Sequence, residues 1–288
     1  MNVNPKTSQL TDHSARRLGI VSNCWKVQLA QGQSLEELID VAVQHGFHVI
    51  ELRQGCLGEY ESAVDHICSL DSTKYKLAKL SQRFPEVTFN LAVSVPCFSG
   101  TYREDDSSFL RALEAATDLA QSDCPHLRLV DTEIHAPQLD DQSVTCAANA
   151  IAAMTRKLVE AGGRLSIEHA YQSWPVYWSV LQCAKNLLGA NASALQCCLD
   201  PCNLLLTEPL RSVPHIVEAI APDDVSMIHL KQRRDDRIQP DVSNGDLDWP
   251  RLLDVLDRRG HRGPWLFEVA PHEEIWANLQ RSIEYLFE

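Results

Sequence analysis

The chain has 288 residues, of which 44% are hydrophobic and 23% are charged, so it can bury a sizeable core. Its formal net charge of −13 argues against a protein whose main partner is nucleic acid, because such proteins neutralise phosphates with Lys and Arg. No apolar run approaches the roughly 20 residues that a membrane-spanning helix needs. The composition therefore predicts a protein without a nucleic-acid or membrane partner.

The ten cysteines do not form the pattern of a disulfide framework or of a cysteine zinc site, because no CxxC pair is present. Several lie in apolar segments, where a free thiol behaves as a small hydrophobic group. Reduced thiols predict a cytoplasmic protein. Residues 1–16 are polar and lack the apolar core of a signal peptide, so they are predicted to form a disordered tail, and residues 17–288 a single domain.

In chain order, short apolar runs rich in β-branched residues alternate with amphipathic stretches of helical period. Ser34-Leu-Glu-Glu opens the first helix with a capping-box pattern, and Gly46 ends it. The predicted strands are residues 18–22, 49–53, 87–93, 127–130, 165–169, 195–200, 225–230 and 265–269. Further helices are predicted at 109–120, 147–161, 176–188, 250–259 and 273–287, with weaker signals at 64–83 and 213–220.

The eight predicted strands end 30 to 40 residues apart, which is the size of one strand–helix unit. Strands that alternate with helices imply a parallel sheet, and eight such units favour a closed barrel over an open sheet. No GxGxxG or Walker pattern follows the first strand, which argues against a dinucleotide-binding fold. The sequence therefore predicts an α/β protein with the (β/α)₈ TIM-barrel architecture.

Metal-competent side chains interrupt the last four predicted strands at their C-terminal ends. A single acidic residue at such a position is often a helix N-cap or part of a salt bridge. Four in successive strands predict a common site, because barrel active sites are built at this end. The residues are Glu168, Asp200, His229 and Glu268.

Three carboxylates at one small mouth would repel one another and raise each other's pKa unless a cation lay between them. One divalent metal ion held by these carboxylates and the imidazole resolves the conflict. A mixed oxygen and nitrogen set without thiolate suits Mn²⁺, Mg²⁺ or Co²⁺ better than structural Zn²⁺. The predicted cofactor is therefore one divalent ion, with Mn²⁺ as the first choice and Mg²⁺, Co²⁺ or Zn²⁺ as alternatives.

These residues lie in motifs that together resemble the xylose-isomerase-like barrels, a superfamily of sugar isomerases and epimerases that also contains endonuclease IV. The resemblance runs over nearly the whole chain from Leu18 onward. In the ketose 3-epimerases of this family, all four ligands bind one Mn²⁺ or similar ion, and the two glutamates also act as acid and base. The resemblance implies these catalytic roles for Glu168 and Glu268. The motifs are Ile-Glu168-His, Leu-Asp200-Pro-Cys-Asn, His229-Leu-Lys231, Phe-Glu268-Val and Asn-Gly245-Asp-Leu-Asp-Trp249.

The implied chemistry is consistent with the residues, since moving a proton beside a sugar carbonyl needs a Lewis acid and a positioned base. Two carboxylates on either side of a substrate could remove a proton from one face and return it on the other. The leading interpretation is a metal-dependent isomerase or epimerase of a ketose, inosose or related keto-polyol, working through an enediolate. The alternative is a lyase or dehydratase of a keto-sugar or keto-glycoside, which needs the same metal and base.

Two positions bear on substrate binding by comparison with the family. Many members have Asp-x-x-His on strand six, where the His contacts substrate in the ketose epimerases, whereas this chain has Asn203. Asn203 is thus a candidate substrate contact, and the sugar specificity stays open. Arg237 lies eight residues after His229, which matches a substrate-binding arginine of those epimerases, with a surface charge as its alternative.

Other candidates stand near the predicted strand ends. Lys231 follows His229 by two residues and so points to the same side of the strand, where it could stabilise an oxyanion, act as a base or form a rim salt bridge. Glu51 and Arg53 could bind sugar hydroxyls or pair with each other. Trp25 could form an aromatic wall of the site or pack within its loop.

Two other functional classes are weaker. The DNA-repair endonuclease of the superfamily uses a trinuclear centre with extra histidines, and this chain has Asn203 and Ile238 at two of those positions. Cleavage of abasic DNA is therefore not expected. A binding protein without catalysis would have little reason to retain all four ligands. The predicted partner is a small carbohydrate substrate, and a homo-oligomer remains an open alternative.

Overall fold

Eight parallel strands close into a barrel in the computed structural model, which describes residues 16–61, 77–120, 123–133 and 140–288. Neighbours along the chain pair with each other, and the eighth strand pairs with the first, with Trp265 opposite Leu18. This confirms the predicted (β/α)₈ barrel. The strands are β1 (Leu18–Val21), β2 (Val49–Arg53), β3 (Thr88–Ser94), β4 (His126–Val130), β5 (Arg164–Glu168), β6 (Leu195–Leu199), β7 (Val225–Leu230) and β8 (Trp265–Phe267).

The helices lie between the strands, as the sequence pattern predicts. At the second helix, the Ser34 hydroxyl accepts from the Glu37 N–H at 3.2 Å and the Glu37 carboxylate accepts from the Ser34 N–H at 2.9 Å, which confirms the capping box. The helices are α1 (Lys26–Ala30), α2 (Leu35–Gln44), α3 (Leu77–Arg83), α4 (Ser107–Ala120), α5 (Asp141–Glu160), α6 (Trp174–Leu188), α7 (Pro201–Leu204), α8 (Val213–Ala219), α9 (Trp249–Arg259) and α10 (Ile275–Phe287).

The structure differs from the sequence-based prediction at several boundaries. Helix α5 begins six residues earlier than predicted, because the Asp140 side chain caps it by accepting from the Ser143 N–H. Of the weak helix predicted at 64–83, only the part from residue 77 lies within the described residues. Residues 1–15 also lie outside them, so the tail and the single domain stay predictions. The nine cysteines that the structure describes are all free.

A two-stranded hairpin between β7 and α9 was not predicted. It pairs Arg233–Arg234 with Arg237–Ile238, and Asp235 and Asp236 at its turn have φ of 51° and 61°. A turn with positive φ is typical of Asp and Asn. The residues that flank it are mostly charged, so no alternation of apolar and polar residues indicated a strand. The hairpin follows directly on the strand that carries His229, and it stands at the C-terminal end of the barrel.

The barrel interior has an apolar layer beneath a polar one. The apolar layer is a small cluster separate from the main core. Since strand side chains alternate with period two, each of these positions is followed two residues later by a polar residue on the same face, as in Val49 and Glu51 or Leu266 and Glu268. The polar layer therefore faces the C-terminal mouth. The apolar cluster consists of Val21, Val49, Cys198, Met227 and Leu266.

No helix within the described residues is long and apolar enough to span a bilayer.

Candidate metal centre

Four ligand atoms from the ends of β5 to β8 converge inside the barrel mouth. Glu168 is the last residue of β5, Asp200 follows β6 and caps α7, His229 lies in β7, and Glu268 follows β8. One ligand atom from each lies within 4.8 Å of all the others. The four side chains are buried, with relative exposures between 0% and 4%. The structure thus brings together the four residues that the sequence predicts as metal ligands.

The imidazole of His229 aims one nitrogen at this cluster. Its Nδ1 lies 3.3 Å from an oxygen of Glu168 and 3.3 Å from an oxygen of Glu268. Its Nε2 faces the other way, 3.5 Å from Glu51 Oε1 and 3.4 Å from Cys198 Sγ. A carboxylate that holds the far nitrogen of a histidine orients the ring and makes the near nitrogen a better metal ligand. Glu51 is placed to do this for His229.

Three buried atoms of the cluster make no hydrogen bond of good angular geometry within the described structure: Asp200 Oδ2, His229 Nδ1 and Glu268 Oε2. The two carboxylate oxygens form ion pairs with the Lys231 ammonium, at 2.7 Å and 2.6 Å. Three carboxylates and an imidazole without thiolate form a donor set that suits Mn²⁺, Mg²⁺ or Co²⁺ and is also compatible with Zn²⁺. The residues therefore fit a divalent metal ion.

The carboxylates are not equally compensated without a metal ion. Burial raises the pKa of Asp200, and the negative charges of Glu168 and Glu268 raise it further against the opposing effect of Lys231. Burial also acts to raise the pKa of Glu268, but Lys231 and His229 outweigh it and hold that pKa well below its usual value. Asp200 is therefore the carboxylate whose repulsion by Glu168 and Glu268 is least compensated. A divalent cation among the three carboxylates would relieve this repulsion.

Lys231 is held as an ammonium. Burial acts to lower its pKa, but Asp200, Glu268 and Glu168 outweigh burial and raise the pKa well above its usual value. Its Nζ also donates to Asn203 Oδ1 at 3.2 Å. An ammonium with these partners has no free electron pair to accept a proton. Of the roles predicted for Lys231, stabilisation of negative charge fits this arrangement and general base catalysis does not.

Arg128 joins Glu168 of the cluster to Glu51, another carboxylate of the polar layer. Its guanidinium, fully buried, donates to Glu168 and to Glu51, with Nε of Arg128 3.1 Å from Glu51 Oε1. Asn90 Nδ2 donates to the other oxygen of Glu51 at 2.6 Å. Burial acts to raise the pKa of Glu168, but Arg128 outweighs it, so that pKa is lowered and the carboxylate stays charged.

Sequence reasoning missed Arg128, although a signal for it exists. Arg128 stands between Leu127 and Leu129 in the predicted strand 127–130, which is otherwise apolar, and it shares its face with Val130. A lone charge in a strand buried on both faces needs a partner inside the barrel. Asn23 was also missed, and its amide donates to Glu268 Oε1 at 3.2 Å.

A cleft of about 290 Å³ opens above the cluster. Its floor carries Glu168, Lys231 and Glu268. Two polar side chains at its sides donate hydrogen bonds to these carboxylates: Arg53 donates to Glu268 Oε1 at 3.1 Å, and Asn203 Nδ2 donates to Glu168 Oε1 at 3.1 Å. The rim includes three large apolar side chains that are 40% to 46% exposed: Tyr171, Leu206 and Ile238.

The predicted substrate contacts divide into those that line this cleft and those that do not. Arg53 and Asn203 line it. Glu51 is fully buried below it and pairs with Arg128, not with Arg53. Trp25 is also fully buried, against Trp276 with ring centroids 6.1 Å apart, so loop packing describes its place in this structure. Arg237 is exposed on the hairpin, and its neighbour Ile238 reaches the cleft instead.

The comparison with family models agrees with the fold. The model of the xylose isomerase-like TIM barrel family matches residues 39–286. The chain belongs to this family. No curated protein matches the chain by sequence.

Solved structures of this kind of barrel superimpose on almost the whole chain. The IOLI protein with a bound zinc atom has a TM-score of 0.65 at 13% identity, covering 94% of this chain and 95% of that one. An L-ribulose 3-epimerase has a TM-score of 0.60 at 15% identity over 93% and 86% of the two chains. An AP endonuclease of family 2 from Brucella melitensis has a TM-score of 0.62 at 15% identity over 94% and 99%. At these identities the likeness shows the shared fold, on which both isomerases and endonucleases occur.

The first prediction concerns the ligands. Asp200→Ala and His229→Ala each remove one ligand atom without a substitute, so Mn²⁺ affinity should fall by more than the roughly 10–100-fold typical of losing a residue that only supports a ligand. Calorimetric titration of the metal-free protein measures this, and elemental analysis should find about one ion per wild-type chain. His48→Gln, which changes an exposed imidazole, is the control. Unchanged titrations in both ligand variants would place the metal elsewhere.

The second prediction concerns the buried charges under the cluster. Arg128→Met should lower the free energy of unfolding of the metal-free protein by about 3–5 kcal/mol, because it leaves Glu51 and Glu168 buried without their cation. Urea denaturation at neutral pH measures the loss. The double variant Arg128→Met/Glu51→Gln removes one of the stranded charges and should recover part of it. A double variant less stable than the sum of the single changes would show that charge compensation is not the cause.

Proposed function

We propose that the protein is a divalent-metal-dependent isomerase or epimerase of a ketose, inosose or related keto-polyol. The observation that carries the proposal is the set of four buried ligand atoms, within 4.8 Å of one another, two of whose residues, Glu168 and Glu268, line an open cleft at the C-terminal end of the barrel. Family membership supports it, as do solved relatives in fold such as L-ribulose 3-epimerase. The zinc atom of the IOLI structure supports a metal on this scaffold, with Mn²⁺ our first choice for this donor set.

The proposed chemistry is proton transfer beside a carbonyl. A bound divalent ion would polarise the carbonyl and stabilise the negative charge that develops on its oxygen. Glu168 and Glu268 come from β5 and β8, so they flank the cluster from different sides of the barrel. One takes the α-proton, and the other returns a proton to the opposite face of the same carbon or to the neighbouring carbon. The first outcome is epimerisation and the second is isomerisation.

The neighbours of the two glutamates suit these roles. Arg128 keeps Glu168 ionised, so this carboxylate is ready to accept a proton. Lys231 lies against Glu268 and faces the cleft, where its ammonium can stabilise an enediolate oxygen. Arg53 and Asn203 line the cleft and present donors to sugar hydroxyls. In this proposal, Lys231 is an electrostatic group and not the base.

The apolar rim favours a second candidate function on the same site. Tyr171, Leu206 and Ile238 are large apolar side chains exposed at the edge of a polar cleft. A free sugar, whose surface consists mainly of hydroxyl groups, would leave these side chains without an apolar partner. A glycoside could cover them with an apolar aglycone. Proton removal beside the carbonyl of a keto-glycoside, followed by loss of the group on the β-carbon, would make the enzyme a lyase.

We do not propose DNA as the substrate, although an endonuclease shares the fold. Asn203 stands where the endonucleases of the superfamily have a histidine, and here its amide binds Glu168 and the backbone carbonyl of His169. The net charge of −13 also disfavours the approach of a duplex.

The third prediction separates metal binding from proton transfer. Glu168→Gln and Glu268→Gln, each saturated with Mn²⁺, should bind a keto-sugar substrate but fail to exchange its α-proton with deuterated solvent. An amide cannot accept a proton, and general base catalysis contributes typically 10²–10⁴-fold. The rate of deuterium incorporation, followed by NMR, measures the loss. Glu208→Gln is the matched control, because the Glu208 carboxylate accepts from the Trp174 N–H and is not part of the cluster. Exchange at near wild-type rates in both variants would require another base.

The fourth prediction separates the two candidate functions. The metal-loaded protein is incubated with a panel of ketoses, inososes and aryl keto-glycosides, and the molecular masses of the products are measured by mass spectrometry. A change without loss of mass identifies an isomerase or epimerase. Release of the aglycone or of water identifies a lyase, and then Leu206→Ser and Ile238→Ser should raise KM for the aryl substrates more than for ketoses. Activity on none of these compounds, with metal bound, would contradict both proposals.

A further inference from the structure

The opposite end of the barrel also has a cavity, of about 560 Å³. It is lined from the N-terminal ends of several strands: Arg164 is the first residue of β5, Val225 is the first of β7, and Pro264 precedes β8. Arg164 lies four residues before Glu168 in β5, which is about 13 Å along a strand. The cavity is therefore a separate place from the cleft, at the other mouth of the barrel.

This cavity concentrates positive charge in an acidic protein. Four of its lining residues are arginines and one is an aspartate. The whole chain, in contrast, has 39 acidic residues against 26 basic ones. The arginines come from three separate segments of the chain, so their proximity is a product of the fold. They are Arg17, Arg164, Arg259 and Arg262.

None of the four arginines forms an ion pair with any residue that the structure describes. Arg17 donates to the Thr88 hydroxyl at 3.1 Å, and Arg259 donates to the Ile220 carbonyl at 3.1 Å, and both of these acceptors are neutral. Elsewhere the protein pairs its arginines with carboxylates, as at Arg53, Arg83 and Arg233. The arginines of the cavity thus keep most of their donors available.

Arg164 is the most constrained of the four. Its Nε is buried and has no hydrogen-bond partner in the described structure. Burial lowers its pKa; the nearby Cys124 acts to raise it, and the positive charge of Arg17 lowers it further. A buried guanidinium N–H without an acceptor costs free energy that an anionic ligand would recover. This atom is the second observation, besides the charge, that points to a ligand.

We propose that this cavity, lined by Arg17, Arg164, Arg259 and Arg262, binds a small multivalent anion that carries a phosphate group. Guanidinium groups suit phosphate because their planar N–H pairs match two of its oxygens. The cavity is larger than inorganic phosphate needs, so a phosphate ester of a small metabolite fits the volume. Free phosphate and a phosphate ester share this chemistry, and a polycarboxylate is the competing anion.

The test is binding of three anions to the full chain, freed of metal with a chelator and kept at constant ionic strength with NaCl. Inorganic phosphate, glycerol 3-phosphate and citrate are titrated by calorimetry and by thermal unfolding. We expect phosphate and the ester to bind and to raise Tm, because a ligand that binds only the folded state stabilises it. Tighter binding of the ester than of phosphate would identify an ester as the ligand, and equal binding would identify the free ion.

Matched variants locate the binding. Arg259→Met/Arg262→Met changes two exposed arginines of the cavity, and Arg164→Met changes the half-buried one. Each should weaken phosphate binding about tenfold or more. Arg103→Met removes the same charge from an exposed loop, and Arg53→Met removes a cation of the catalytic cleft, and both should leave the affinity unchanged.

Three results would overturn the proposal. One is the absence of binding by both phosphate compounds. Another is binding that Arg53→Met abolishes and that the Arg259→Met/Arg262→Met variant retains, which would assign the anion to the cleft. The third is binding of citrate alone. Because this readout uses neither metal nor substrate, it is independent of the proposed enzyme activity.

Discussion

Compensation of buried negative charge is the constraint on which the interior of this barrel depends. Glu51, Glu168, Asp200 and Glu268 all lie within the mouth at exposures of 4% or less. Ionised carboxylates at such positions are tolerable only with cations or donors beside them. Arg128 serves Glu51 and Glu168, and Lys231 serves Asp200 and Glu268. The same constraint explains why the polar layer forms one connected set of contacts and why a divalent ion suits its centre.

The barrel produces this arrangement through strand alternation. On β6, β7 and β8, the residue two positions before the candidate ligand is apolar and closes the barrel from below, as Met227 does before His229, whereas on β5 this position is the buried Ser166. Water is thus excluded from one side of the cluster, which strengthens the electrostatic interactions within it. The other side opens to the cleft through Arg53, Asn203 and Lys231. A site closed below and open above can bind an ion and still admit a substrate.

The architecture and the four central residues could be predicted from the sequence because both depend on local pattern. Each of the eight strands lies within two residues of its predicted position, since apolar runs and turn residues define it. Glu168, Asp200, His229 and Glu268 were found because each interrupts an apolar strand at the same end. Their catalytic and ligand roles remain predictions, as do the substrate contacts.

The contacts between strands could not be predicted, because they depend on the barrel register. Val130 lies opposite Glu168 in the β4–β5 pairing, and this register brings Arg128 beneath Glu168. No local sequence pattern predicts that Arg128 pairs with Glu168. For Trp25 the sequence left two alternatives, an aromatic wall of the site or packing within its loop, and the short helical turn Ser22–Trp25 folds it against Trp276. The hairpin after β7 carries Ile238, and not the expected Arg237, to the cleft.

The position of Lys231 has a consequence for how the protein matures. Its ammonium lies against two of the oxygens that face the centre, so the chain carries a tethered counterion of its own. Zinc fingers and many other small metal-dependent domains stay unfolded until their ion binds. Here the barrel can assemble first and be loaded afterwards, with the side chain yielding its oxygens to the incoming ion. For the proposed metal-dependent enzyme, folding and metal binding would then be separate events, and the supply of metal would govern activity without governing the amount of folded protein.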